Sequence, residues 1–70
     1  MITATFYCNI IDPSGYIAEP DFDFDEGTFR NREELDDYIE RNGYSIGEVC
    51  GYFGESIGVL TDIHYEGDDE

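Results

Sequence analysis

From Ile2 to Ile11 the chain alternates apolar and polar residues without a break, with Ile2, Ala4, Phe6, Cys8 and Ile10 at one parity and Thr3, Thr5, Tyr7 and Asn9 at the other. A helix, turning about 100° per residue, would scatter those apolar side chains around its circumference, whereas a strand gathers them on one face. The pattern predicts a half-buried strand, and such a strand needs a neighbour beside it and a layer over its apolar face. Asp12-Pro13-Ser14-Gly15 comes next with Asp first, Pro second and Gly fourth, the preferences of a type I turn, so the chain is expected to fold back as a hairpin.

The returning segment, Tyr16 to Asp25, alternates again. Tyr16, Ala18, Pro20, Phe22 and Phe24 share one parity, and Ile17, Glu19, Asp21, Asp23 and Asp25 the other. As a regular strand, it sets Glu19, Asp21, Asp23 and Asp25 in a row, one carboxylate every ~6.6 to 6.8 Å. Pro20 has no N–H to give a ladder, which points to a sheet edge or a bulge.

Asn31 and Glu34 have the spacing of an N-cap and its N3 partner, and Gly43 suits the position just past a helix end, so a helix is expected over about Arg32 to Asn42. Helical spacing puts Leu35, Tyr38 and Ile39 on one side and Glu33, Asp36, Asp37 and Glu40 on the other. Residues 45–54 read as a glycine-containing strand or as a short helix capped by Ser45 and Glu48. Strand is preferred, because Gly47 and Gly51 would each weaken a helix by about 1 kcal/mol relative to Ala. Another alternating run, Ile57 to Tyr65, completes a β-β-α-β-β order. The expected fold is α+β: a small antiparallel sheet of about four strands with one helix packed on one face, a single domain over residues 1–65 and a flexible acidic tail over residues 66–70.

Charge narrows the function. The 70 residues hold 18 Asp and Glu against three Arg and no Lys, a formal charge of −15. That balance excludes nucleic acid and anionic membrane as direct partners and favours a basic surface. Six Tyr and five Phe along the chain mark a folded domain rather than an acidic disordered tail. A chain of this length buries only about 60% of its unfolded surface, which leaves one thin core and makes a homodimer a natural way to add buried area. No basic segment followed by an apolar stretch opens the sequence, so a cytoplasmic protein with Cys8 and Cys50 reduced is expected.

Ten of the 18 acids fall between residues 19 and 40: Glu19, Asp21, Asp23, Asp25, Glu26, Glu33, Glu34, Asp36, Asp37 and Glu40. Like charges at i,i+4, as in Glu33/Asp37 and Asp36/Glu40, oppose the helix by roughly 0.2 to 0.5 kcal/mol per pair, an arrangement that an outside cationic partner would relieve. These ten are the candidate partner-binding residues.

Other chemistry is poorly supported. Asp21, Asp23 and Asp25 begin like an EF-hand loop, but Glu26 stands where the loop needs Gly and Arg32 where it needs a bidentate Glu. The only His, His64, has Asp62, Ser14, Ser45 and Ser56 as imaginable triad partners, with no nucleophile motif, so no enzyme is expected. Two Cys and one His are too few for a zinc site, and no phosphate loop occurs, so no cofactor or metal is expected.

In small size, extreme acidity and the concentration of acids within residues 19–40, the chain resembles a functional class, the DNA-mimic inhibitors of phages and mobile elements, which includes anti-restriction and anti-CRISPR proteins. The resemblance is compositional. It implies a protein that acts in the host cytoplasm by occupying the DNA-binding groove of a nuclease or CRISPR surveillance complex. The alternative is a small structural or divalent-cation-binding domain, including one adapted to high salt, whose acids are simply solvated.

Overall fold

In the computed structural model, which describes residues 1–67, the order is β1 (Ile2–Ile11), β2 (Ile17–Phe29), α1 (Arg32–Asn42), β3 (Val49–Phe53) and β4 (Ser56–Gly67). The four strands form one antiparallel sheet in the order β2-β1-β4-β3, and with the helix they make an α+β fold. β1 is central. Its two parities separate as expected: Ile2, Ala4, Phe6 and Cys8 are buried, while Thr3 is exposed and Thr5, Tyr7 and Asn9 are half-buried.

The first hairpin closes where Asp12 and Gly15 place it. Gly15 N donates to Asp12 O at 2.9 Å and adopts a positive φ of 90°, while the Asp12 carboxylate accepts from Ser14 N and Tyr16 N. The Asp side chain satisfies turn amides that would otherwise need water.

The helix ends are equally local. Asn31 Oδ1 accepts from Glu34 N at 3.0 Å, and the Glu34 carboxylate reaches back to Arg30 N, one residue earlier than the usual return of a capping box. At the other end Gly43 is left-handed, with φ 68°; its N–H bonds Glu40 O and that of Tyr44 bonds Ile39 O, the paired bonds of a Schellman motif. That motif turns Tyr44 back under the helix. Leu35 is the one fully buried residue of α1 and meets Ile2, Ala4, Phe6 and Leu60, with Tyr38, Ile39 and Tyr44 packed around them. The helix rests on the sheet through this narrow strip.

Two expectations need correction. Glu66 and Gly67 belong to β4, where they pair with Thr3 and Ile2 of β1. The tail expected from residue 66 is therefore strand through Gly67; Asp68, Asp69 and Glu70 lie outside the described residues. Within residues 45–54 only Val49–Phe53 is strand, and Ser45 to Glu48 form a turn in which Glu48 N bonds Ser45 O.

Because Leu35 alone of the helix is fully enclosed, Leu35→Ala should lower stability by about 2–5 kcal/mol, a large share of what so small a domain possesses. Urea unfolding followed by circular dichroism will read this, and a loss below ~1 kcal/mol would show that α1 contributes little to holding the sheet together.

Candidate functional site

Cross-strand partners in an antiparallel sheet project to the same face, so the register fixes where each acid points. Three register shifts interrupt the β1–β2 ladder, at Phe6/Tyr7, Cys8/Ile10 and Ile10/Ile11. Each inserts an extra residue into β2 and reverses the parity of the residues beyond it. The bulge at Pro20–Asp21 has a visible cause: Pro20 cannot donate, Asp21 turns left-handed at φ 49°, and Asp21 N bonds the Asn9 side chain at 3.0 Å instead of the ladder. Asp tolerates this conformation better than most residues do.

The single row expected from Glu19, Asp21, Asp23 and Asp25 is consequently absent. Glu19 pairs with Ile10 and Asp25 with Phe6, both on the helix-bearing side, whereas Asp23 pairs with Tyr7 and Glu26 with Thr5 on the open side. Asp21 lies with Tyr7 and Asp62 around a shallow depression on that same open side. Asp25 is not available to a partner in the manner expected. One carboxylate oxygen accepts from both the Tyr38 and Tyr44 hydroxyls, and the other accepts from Glu26 N. It serves as a clamp between β2, the helix and the turn after the helix.

Glu33, Glu34, Asp36, Asp37 and Glu40 are exposed on the helix. Three of them are already matched: Arg30 lies beside Glu34 at 3.8 Å, Arg32 beside Asp36 at 2.9 Å and Arg41 beside Asp37 at 3.4 Å. Arg32 also bonds the Tyr65 hydroxyl and stands 4.4 Å from that ring's centroid. All three arginines of the chain are thus gathered on or beside α1.

The open face of the sheet is different. β1 presents Thr3, Thr5 and Tyr7 there; β2 adds Asp23 and Glu26, and β4 adds Asp62, His64 and Glu66. Asp23 and Asp62 flank Tyr7 from opposite sides, about 10 Å apart across two inter-strand spacings. Two files of carboxylates, Asp21–Asp23–Glu26 and Asp62–Glu66, therefore run along neighbouring flanks of β1, and none of these five acids joins an arginine ion pair among the described residues. The sequence alone does not single out Asp62 and Glu66. Their shared parity with His64 is legible, but that β4 lies against β1, opposite β2, is a matter of topology.

Charge is also drawn out along the molecule. The described residues contain 15 acids and three arginines, a net of −12, over a body of 45 × 19 × 17 Å. One net charge per ~3.8 Å of length is close to the ~3.4 Å per charge of one strand of a DNA duplex.

Among the described residues, no group of three or more His, Cys, Asp or Glu is arranged to hold a metal ion. His64 and Asp62 share the open face, but Ser14 lies in the first hairpin turn, Ser45 after the helix and Ser56 at the β3–β4 turn, so the structure does not bring a triad together. No helix among the described residues is long and apolar enough to cross a membrane. No protein-family model, curated protein or solved structure matches the chain.

Four side-chain protons tie stability to alkaline pH, those of Cys8, Cys50, Tyr38 and Tyr44, with burial raising Cys50 as well. Burial, with Cys50 beside it, pushes the Cys8 thiol from 9.0 up to about 11. The hydrogen bond to Asp25 and, after it, burial raise Tyr38; burial and, after it, Asp25 raise Tyr44. In each case the unfolded chain releases its proton at lower pH than the folded one, so the stabilisation is complete below the unfolded value and declines as pH rises through the folded value. The urea midpoint should hold steady up to about pH 9, fall between pH 9 and 11 as Cys8 responds, and fall further above pH 10 through the tyrosines. Cys8→Ala should flatten the first part of the decline and Tyr44→Phe the second; parallel curves for all three proteins would refute this assignment.

Proposed function

We propose that the protein is an acidic, protein-binding inhibitor that imitates nucleic-acid charge and occupies the DNA-binding groove of a nuclease or CRISPR surveillance complex. The observation that carries this reading is the separation of charge: every arginine sits at the helix, while the carboxylates of the open sheet face have no arginine ion pair among the described residues. A purely solvated acidic domain has no reason to leave one face uncompensated, since interspersed cations would reduce self-repulsion. A groove of Lys and Arg built for phosphates meets such a face with complementary potential and speeds encounter.

The contact set under this reading differs from the sequence expectation. Asp21, Asp23, Glu26, Asp62 and Glu66 form its centre. Glu19, Glu33 and Glu40 lie on the helix-bearing side and outside this centre, Asp25 is a structural clamp, and Glu34, Asp36 and Asp37 are held by their arginines. Between the two files of acids, β1 presents Thr3, Thr5 and Tyr7, which hydrogen-bond without adding competing charge.

The test is capture of a DNA- or RNA-binding protein by the immobilised domain from its native host, followed by elution with duplex DNA. The reading expects elution by DNA and weaker capture as salt rises. The triple variant Asp23→Lys, Glu26→Lys and Asp62→Lys, all at exposed positions, should abolish capture while leaving the circular dichroism spectrum intact. Capture that survives this reversal, or a captured protein that DNA does not displace, would defeat the proposal.

A further inference from the structure

The two edges of the sheet are unlike. β2 is broken by three register shifts, holds Pro20 and exposes Glu19, Asp21, Asp23 and Glu26, all of which discourage another strand from pairing there. β3, at the other edge, is Val49–Phe53, with no proline and no charged residue, and only one shift, at Cys50. Two residues of it are apolar and exposed on the open face, Val49 at 46% and Tyr52 at 79%. The register carries this apolar area across Val59 and Ile57 of β4 to Ile11 of β1, at the opposite end of the face from Glu26 and Glu66.

The backbone of β3 is oriented for pairing. Phe53 and Ser56 flank the two-residue turn Gly54-Glu55, whose Gly54 has φ 66°, as a type II′ turn requires at its first central position. The residues flanking such a turn form a hydrogen-bonded pair, so the next pair, Tyr52 with Ile57, is non-hydrogen-bonded and Tyr52 directs its own N–H and C=O away from β4.

We infer that β3 is a self-association edge: two copies of this chain pair β3 to β3, antiparallel, about a two-fold axis at Tyr52, and join their sheets into one of eight strands. The register is self-complementary, as a two-fold contact demands. Tyr52 faces Tyr52 on the open side, and the backbone of Gly51 stands opposite that of Phe53, whose ring stays over Gly51 and Gly58 of its own chain. The flanking acids lie outside the paired residues, Glu48 just before β3 and Glu55 in the turn after it. β1 and β4 separate β3 from the acids of β2, a distance of ~14 Å that exceeds the ~8 Å screening length at physiological salt. A thin-cored domain gains buried apolar area from such a contact, and a second copy supplies a matching strand without further assumption.

This inference is independent of the groove reading, and salt separates the two. Screening weakens attraction to a basic groove, but it relieves repulsion between two chains of charge −15. Sedimentation of the full chain from micromolar to millimolar concentration should show a monomer–dimer equilibrium whose dimer fraction rises with added NaCl. Tyr52→Lys, which sets two like charges across the axis, should weaken the dimer at least ~10-fold. In a mixed sample of labelled and unlabelled protein, NMR should show inter-chain contacts between Gly51 and Phe53, a readout that needs no variant. A protein that stays monomeric at millimolar concentration in high salt, a dimer indifferent to Tyr52→Lys, or inter-chain contacts that omit β3 would each overturn the inference.

Discussion

Burial of Phe6 holds the two layers of this domain in register. The ring is fully enclosed, and Tyr44, Tyr38 and Phe24 approach it at centroid distances of 5.1, 5.6 and 6.3 Å. Those three rings come from the turn after the helix, the helix itself and β2, so one side chain of the central strand gathers every element that must cover it. The three rings are tilted at 43 to 60° to that of Phe6, and aromatic contact of this kind contributes beyond the area it removes from water. The Tyr38 and Tyr44 hydroxyls then emerge at the rim of the cluster, where they need acceptors, and Asp25, drawn opposite Phe6 by the register of β2, supplies one for both. An apolar demand at the centre thereby dictates the place of a carboxylate at the edge.

The same geometry governs the distribution of charge. A strand with regular alternation would have kept four acids of β2 on one side, but Phe24 must reach Tyr44 and Phe22 must reach Phe53, at 5.6 and 5.7 Å, while Pro20 interrupts the ladder. Bulges reconcile these contacts, and their by-product is that the acids of β2 are dealt to both sides of the sheet. On the helix side Asp25 finds the Tyr38 and Tyr44 hydroxyls and Glu19 is exposed to solvent. On the open side they meet the like charges of Asp62 and Glu66 across β1. Self-repulsion is thus concentrated on the one face that carries no second layer.

Much of this was legible from residues alone, and the limits have physical causes. β1 comes from strict alternation, the first turn from Asp12, Pro13 and Gly15, and the helix bounds Arg32–Asn42 from Asn31, Glu34 and Gly43, because all of these are decided by bonds spanning a few residues. The facing of β2 was not legible, since a single inserted residue reverses every later side chain and only Pro20 hinted at one of the three insertions. The role of Asp25 was hidden for the same reason: in sequence it is one acid among five neighbours, and only the return of Tyr44 through the Schellman turn distinguishes it. The join of Asp62 and Glu66 to Asp23 and Glu26 depends on β4 entering beside β1, a long-range choice that no local pattern encodes.

The contrast between the two sheet edges bears on how a chain of −15 remains both folded and functional. At β2, where acid is dense, bulges and proline make strand pairing unfavourable, so the charged flank stays a surface rather than a seam. At β3 the backbone is open and charge is sparse, so any association by strand addition is directed there. In a dimer so formed, the two acidic faces would lie on one continuous sheet, with the carboxylates of β2 at its outer strands and the exposed apolar residues of β3 at its middle. The charge lines are then extended along a longer body without being brought closer together. An elongated acidic surface is what a long basic groove would engage, and the proposed dimer would form one by joining the edge that carries the least charge.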